Sequence, residues 1–200
     1  VSREAQNAIL LFGGSNRAVD EAYADRVLAQ FGAGDILLLQ NEISALPYIL
    51  EKAHARGMEI WLNPSPMNEN VLKCNLSLVS VFVLNEVEGE QLTGTKIPTA
   101  ILDKLLQKYP HAAAVLTLGS KGAWYAKEDK RAFAPAELVR AVDTTAAGDT
   151  FTGYFMRGML DGLSPKKSLT LAAKAAAIAV SRPGAAPSIP LYAEVTSERN

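Results

Sequence analysis

The sequence predicts an α/β fold, doubly wound, with a mostly parallel sheet flanked by helices. Short apolar runs recur along the 200 residues, at 35–40, 58–62, 78–84 and 112–118. Their continuous apolar character is typical of strands buried on both faces. Segments whose apolar residues follow helical spacing stand between or after these runs, at 44–56, 98–109, 148–160 and 165–181. Such alternation favours parallel strands joined through covering helices.

The first half of the chain carries these elements in order. Residues 8–12 form an apolar segment that is expected to be a strand, and residues 35–40 contain the run Ile-Leu-Leu-Leu. The helix at 44–56 is expected to end before Gly57, because glycine is favoured just past a helix C-terminus. The strand at 58–62 is expected to stop at the following Asn-Pro-Ser-Pro, since proline cannot donate within a central strand.

The second half opens with a hairpin and ends in helices. Residues 123–126 and 131–133 flank a polar turn and predict two paired strands. Residues 139–142 are expected to form a further short strand. The last long helix is expected to begin with Ser164 as its N-cap and Pro165 at the first helical position.

Composition and charge restrict the class of protein. Hydrophobic residues make up 48% of the chain, and 20 Lys and Arg balance 21 Asp and Glu, for a net charge of −1. This profile predicts one globular domain over residues 1–200, without the electrostatic footprint of a nucleic-acid or membrane-surface protein. The lone Cys74 excludes an internal disulfide, and neither a bilayer-spanning stretch nor a signal-like start is found. A cytoplasmic location is therefore expected.

The strongest chemical signal is the turn at 143–149, with the sequence Asp-Thr-Thr-Ala-Ala-Gly-Asp. Its small side chains let backbone N–H groups at the start of a helix approach an anion, which the helix dipole also favours. Asp149 would repel a phosphate that is merely bound there. It suits a base that takes a proton from a hydroxyl attacking that phosphate. The alternative is an Asp that only stabilises its own helix N-terminus.

Two further segments follow predicted strands. Residues 117–122, Thr-Leu-Gly-Ser-Lys-Gly, offer hydroxyls and close backbone approach to a nucleotide, or form a plain strand-to-hairpin turn. Asn85 and Glu88 form an Asn-x-x-Glu pattern, which taken alone is more often a helix cap with acids in the first turn. No Walker sequence occurs, which excludes the P-loop class of nucleotide-binding folds.

Taken in order, these motifs resemble those of the ribokinase-like (PfkB-type) carbohydrate kinase family. Residues 143–151 resemble its C-terminal signature, and their Ala-Ala-Gly-Asp form, with the Arg-Pro-Gly-Ala-Ala-Pro-Ser of 182–188, resembles the ribokinase branch most closely. The agreement runs from residue 8 to residue 190. The resemblance implies a Rossmann-type three-layer sandwich without the family's small β-lid, and transfer of phosphate from ATP to a sugar hydroxyl.

The resemblance also implies a role for each motif residue. Asp149 would be the catalytic base, and the backbone N–H groups of Ala146, Ala147 and Gly148 would form an anion hole for the γ-phosphoryl group. Nucleotide binding would fall to the residues of the two other motifs, namely Asn85, Thr117, Gly119, Ser120 and Gly122. Glu88 would orient Mg²⁺ through water. For the sugar, the matching residue is Glu42, whose alternative is a solvated loop carboxylate.

A monovalent cation, K⁺, is the last group that the resemblance implies, beside the anion hole. The matching positions, several of them acting through backbone carbonyls, are Asp143, Thr145, Ala179, Arg182, Gly184 and Ser188. A carboxylate with carbonyl oxygens suits a hard cation. The alternative is that the prolines of residues 182–190 only stiffen a surface loop.

Two functions stay open at this point. One is an ATP-dependent kinase of a small carbohydrate such as ribose, using Mg²⁺ and K⁺, with the sugar rather than nucleic acid or a membrane as its partner. The other is a nucleotide-binding portion that is not catalytic by itself, because the family's N-terminal sugar-binding and lid segment is not expected in these 200 residues. Family members often dimerise through that lid, so a monomer or a different interface is expected, and the oligomeric state is left open.

Overall fold

A mostly parallel sheet flanked by helices is the main feature of the computed structural model, which describes residues 12–197. Within this range six strands form one sheet, and their order in the sheet equals their order along the chain. They are β1 (Ile36–Gln40), β2 (Glu59–Asn63), β3 (Val81–Asn85), β4 (Ala113–Thr117), β5 (Ala123–Lys127) and β6 (Lys130–Ala134). The strands β1 to β4 are parallel neighbours, as the continuous apolar runs predict.

Eight α-helices lie in the same range. They are α1 (Glu21–Leu28), α2 (Leu46–Ala55), α3 (Glu69–Leu72), α4 (Glu86–Thr93), α5 (Pro98–Lys108), α6 (Ala147–Leu160), α7 (Pro165–Val180) and α8 (Tyr192–Thr196). The predicted helices are confirmed as α2, α5, α6 and α7, and Ser164 Oγ accepts the Lys167 N–H at 3.4 Å as the N-cap of α7. The four helices not predicted have eight residues or fewer, too few for a periodic apolar pattern to stand out.

Two predictions of local structure are wrong. Residues 139–142 do not form a strand, because the Val142 and Asp143 N–H groups both donate to the Val180 carbonyl at the end of α7, at 2.7 and 3.1 Å. The strand β1 is not buried on both faces, since Leu38 is 43% exposed at the edge of the described sheet. The strand expected at 8–12 lies outside the described residues except for Phe12.

The described chain falls into two compact units. The first unit contains residues 12–117 and 126–130, and the second contains residues 118–125 and 131–197. The expectation of a single domain over residues 1–200 stays a prediction. No described helix is long and apolar enough to span a membrane.

Each unit has its own buried core. In the first unit the largest fully buried side chains lie on α2, β2, β3, α5 and β4 and include Leu50, Phe82 and Ile101. In the second unit α6 packs against α7, and Phe155 and Leu169 are fully buried. These cores hold the strand ends and the helix N-terminus at which the candidate site residues lie.

Candidate active site

In the first unit, polar residues follow the carboxyl ends of the parallel strands. The register pairs Gln40 of β1 with Asn63 of β2, and Asn85 of β3 with Thr117 of β4. Ligands of parallel α/β sheets bind beyond this edge. The structure therefore places the predicted site residues Asn85 and Thr117 side by side. Thr117 also donates its hydroxyl to the Leu84 carbonyl, at 3.4 Å.

Asn85 and Glu88 form a reciprocal hydrogen-bonded unit at the start of α4. Asn85 Oδ1 accepts the N–H groups of Val87 and Glu88, at 2.9 and 3.0 Å. In return, Glu88 Oε2 accepts the Asn85 N–H at 2.9 Å, and Glu88 Oε1 accepts the Asn85 side-chain amide at 3.0 Å. The helix-cap alternative is thus realised as a capping box. Because Glu88 is only 5% exposed and both of its oxygens are engaged, its geometry fits contact with Mg²⁺ through water better than direct ligation.

Glu42 is exposed directly after β1, next to a buried residue that the sequence analysis missed. That residue, Asn41, donates its backbone N–H to the Ser65 carbonyl at 3.0 Å and its side-chain amide to the Pro66 carbonyl at 2.5 Å. The two bonds attach the end of β1 to the loop that follows β2. Its position between an apolar strand and an acidic residue was the only sequence signal for this role.

In the second unit, residues 118–122 form a tight turn that is closed by hydrogen bonds within the segment. The Leu118 N–H donates to the Gly122 carbonyl at 2.8 Å, and the Gly122 N–H donates to the Gly119 carbonyl at 3.2 Å. Both glycines have positive φ angles, 55° at Gly119 and 112° at Gly122, and Ser120 between them is exposed. The motif is therefore a tight turn with an accessible hydroxyl, a shape that suits both of the readings given to it above.

The turn at 143–149 is organised by a buried carboxylate. Asp143, only 7% exposed, accepts the Thr145 N–H through Oδ1 at 2.9 Å and the Gly184 N–H through Oδ2 at 3.1 Å. Hydrogen bonds from Thr145, and then from Gly184, hold the pKa of the Asp143 carboxyl below its usual value. Asp143 is therefore ionised at neutral pH, and it joins the turn to the loop of residues 182–190.

The start of α6 has the features that an anion site needs. Ala146 adopts a left-handed conformation, with φ 60°, and in the described structure it provides no side-chain cap to α6. The Ala147 N–H donates to the Thr144 carbonyl at a long distance, 3.3 Å. Gly148 and Asp149 follow on the exposed first turn of the helix. Backbone donors and a carboxylate are thus presented together at the positive end of a 14-residue helix.

The positions predicted for a monovalent cation lie around Asp143, at the end of α7 and in the loop after it. Asp143, Thr145 and Gly184 are joined by hydrogen bonds, as described above. The Ala179 carbonyl accepts the Arg182 N–H at 3.0 Å, and the fully buried Ser188 donates its hydroxyl to the Ala185 carbonyl at 2.7 Å. The atoms that could ligate a cation here are carbonyl and hydroxyl oxygens and one buried carboxylate. Such oxygen ligands suit a hard cation. In the described residues no group of three or more His, Cys, Asp or Glu side chains could hold a metal ion.

The chain is similar to one family of known proteins over most of its length. The sequence pattern of the pfkB family carbohydrate kinases matches residues 1–191. The curated ribokinase of Schizosaccharomyces pombe is 36% identical over 100% of this chain and 66% of its own length. The crystal structure of Thermotoga maritima ribokinase is 31% identical, with a TM-score of 0.78 over 98% of this chain and 66% of that one.

A structure of Arabidopsis thaliana ribokinase complexed with ribose and ATP is 28% identical, with a TM-score of 0.77 over 95% of this chain and 64% of that one. The predicted resemblance in sequence and fold is confirmed by these matches. The chain spans about two thirds of the length of the curated relatives it matches.

Proposed function

The chain belongs to the pfkB family of carbohydrate kinases, and we propose that the protein transfers the γ-phosphoryl group of ATP to a hydroxyl of a ribose-like sugar. The observation that carries this proposal is the turn at 143–149, in which a buried Asp143 accepts the Thr145 N–H just before a left-handed Ala146, and an exposed Asp149 follows at the start of α6. The chain's similarity to ribokinases, one of them complexed with ribose and ATP, supports the choice of substrates.

In this proposal Asp149 accepts the proton of the attacking sugar hydroxyl. The hydroxyl oxygen forms a bond to the γ-phosphorus of ATP while the bond from that phosphorus to the β,γ-bridging oxygen breaks, which releases ADP. The backbone N–H groups of Ala146, Ala147 and Gly148 stabilise the negative charge on the transferred group. A base placed in this way contributes about 10²–10⁴-fold in rate.

Binding of the substrates falls to the remaining site residues. We propose that the nucleotide is contacted by Asn85, Thr117, Gly119, Ser120 and Gly122, and that sugar hydroxyls donate to Glu42. Glu88 orients Mg²⁺ through water, and the metal, when bound, neutralises charge on the phosphates. These roles follow the family pattern, and the strand-end positions and turn geometry described above support them.

A K⁺ ion is proposed at Asp143, Thr145, Ala179, Arg182, Gly184 and Ser188. Its positive charge beside the turn favours the anionic group that the N–H donors of α6 bind. Turnover is therefore expected to rise when K⁺ replaces Na⁺ at constant ionic strength. Equal rates in the two salts contradict the cation site and leave the kinase proposal standing.

The proposal is tested by measuring ADP release with a panel of candidate acceptors. Ribose, deoxyribose, fructose and a nucleoside are supplied with MgATP, and the ADP formed is coupled to NADH oxidation. We expect acceptor-dependent release that is fastest with a pentose. Nucleotide binding without release for any acceptor contradicts catalysis and favours the second function, a chain that only binds nucleotide.

A further inference from the structure

The loop of residues 182–190 is held at both ends by side chains that lie outside it. At its start, Arg182 Nη2 donates to Glu194 Oε1 of α8 at 2.6 Å. At its end, the hydroxyl of Tyr154 on α6 donates to the Pro190 carbonyl at 2.7 Å. The loop is therefore fixed in place by two helices of the second unit.

The Glu194 carboxylate accepts two short hydrogen bonds, one of them the bond from Arg182 at 2.6 Å. Its second oxygen, Oε2, accepts the Leu191 N–H at 2.7 Å, so the carboxylate joins the start of α8 to the start of the loop. The hydrogen bond from Arg182, followed by that from Leu191, holds the pKa of the Glu194 carboxyl below its usual value. The carboxylate is thus ionised at neutral pH.

The helix that carries Glu194 is itself anchored. The next residue, Val195, is 1% exposed and packs in a cluster with Ala175 and Ile178 of α7. Lys174 of α7 donates to the Ser197 carbonyl just past the end of α8, at 2.9 Å. Because α8 is anchored to α7, Glu194 offers Arg182 a fixed partner. The bond between them therefore restrains the start of the loop.

From the loop, the restraint reaches the turn at 143–149. Gly184 has a φ of 88°, which a residue with a side chain rarely adopts, and its N–H reaches Asp143 Oδ2 at 3.1 Å. The other oxygen of Asp143 holds the Thr145 N–H, one residue before the left-handed Ala146. One carboxylate is therefore shared between the loop and the turn that leads into α6.

We infer that Glu194 is a positioning residue for the turn at 143–149, acting through Arg182, Gly184 and Asp143. The inference deepens the proposed kinase function and rests on it for its kinetic consequence. An exposed ion pair of this kind contributes little to global stability. Its effect lies in the geometry of the turn, where a displacement of about 1 Å far from the chemistry can cost on the order of 100-fold in rate.

The first test does not require activity. Amide hydrogen exchange is measured in the wild type, in Glu194→Gln and in a matched control, Glu90→Gln, which removes a surface carboxylate paired with Lys96 in the first unit. We expect about 10-fold faster exchange at the Gly184 and Thr145 amides in Glu194→Gln only. Unchanged exchange at both amides overturns the inference.

The second test separates positioning from simple structural damage. In Glu194→Gln and in Arg182→Gln we expect kcat to fall by about 10-fold, with the KM for ATP changed less than about twofold. Because both changes break the same link, the double variant is expected to be no slower than either single variant. Wild-type kcat in both variants, or additive losses in the double variant, overturns the inference.

Failure of the proposed function looks different from failure of the inference. If the wild type releases no ADP with any acceptor, the kinase proposal fails, while amide exchange still decides whether Glu194 restrains the turn. If the wild type turns over and the Glu194 variant exchanges like the wild type, the inference fails alone.

Discussion

Replacement of Gly122 by alanine tests the backbone geometry of the turn at 118–122. Gly122 has φ 112° and ψ −152°, a region that is essentially restricted to glycine and costs about 1–3 kcal/mol for other residues. An added Cβ would overlap the Ala134 carbonyl oxygen and lie 2.9 Å from Pro135 Cα. Since both are backbone atoms, they cannot rotate away, and crowding of this kind adds about 1–3 kcal/mol.

The expected loss of unfolding free energy for Gly122→Ala is about 2–6 kcal/mol, which lowers Tm by roughly 10 °C in a chain of this size. The matched control is Gly162→Ala, because Gly162 also has a positive φ, 76°, but no atom lies within 4 Å of its added Cβ. The control is expected to lose about 1–2 kcal/mol. Urea unfolding of both variants measures the difference, and equal losses refute the steric argument.

Three further predictions concern the turn at 143–149 and the single thiol. Asp143→Asn leaves one acceptor for two backbone donors, so its urea midpoint is expected to fall. Because the pKa of Asp143 is lowered on folding, its stabilisation is present above its ordinary pKa and is lost as pH falls below about 4. If the unfolding free energy of the wild type and of Asp143→Asn depends on acid pH in the same way, this prediction is contradicted. Ala146→Gly is expected to stabilise by about 0.5–1 kcal/mol, because glycine adopts a φ of 60° without strain, and a lower urea midpoint is the contrary result. Burial raises the pKa of Cys74 to about 11, so labelling by a disulfide reagent at pH 8 is expected to be more than about 100-fold slower in the folded than in the unfolded chain, and equal rates contradict the buried thiol.

Local patterns were sufficient to predict the sheet and the long helices. Continuous apolar runs indicated β1 to β4, and the helical spacing of apolar residues indicated α2, α5, α6 and α7, because these signals depend only on near neighbours in the chain. The error at residues 139–142 has the opposite origin. Their apolar character favoured a strand, but the N–H groups of Val142 and Asp143 donate to the Val180 carbonyl, which lies almost 40 residues away in the chain.

Contacts between residues far apart in the chain also limited how much of the candidate site could be predicted from the sequence. The spacing of Asn85 and Glu88 predicted a helix cap, and their side chains do form one. No local pattern connects Arg182 with Glu194, Tyr154 with Pro190, or Asn41 with Pro66, since such pairs depend on how distant elements pack. The sequence therefore indicated the motif residues and missed the residues that hold them in place.

The proposed kinase activity requires that Asp149 act as the base of a phosphoryl transfer at the start of α6. Its most direct test is Asp149→Asn, a change that keeps the size of the side chain and removes its basicity. ADP binding by calorimetry is expected to stay within about threefold of the wild type, while kcat with the best acceptor sugar falls by about 10²–10⁴-fold. A variant that binds ADP and turns over at close to the wild-type rate contradicts the claim.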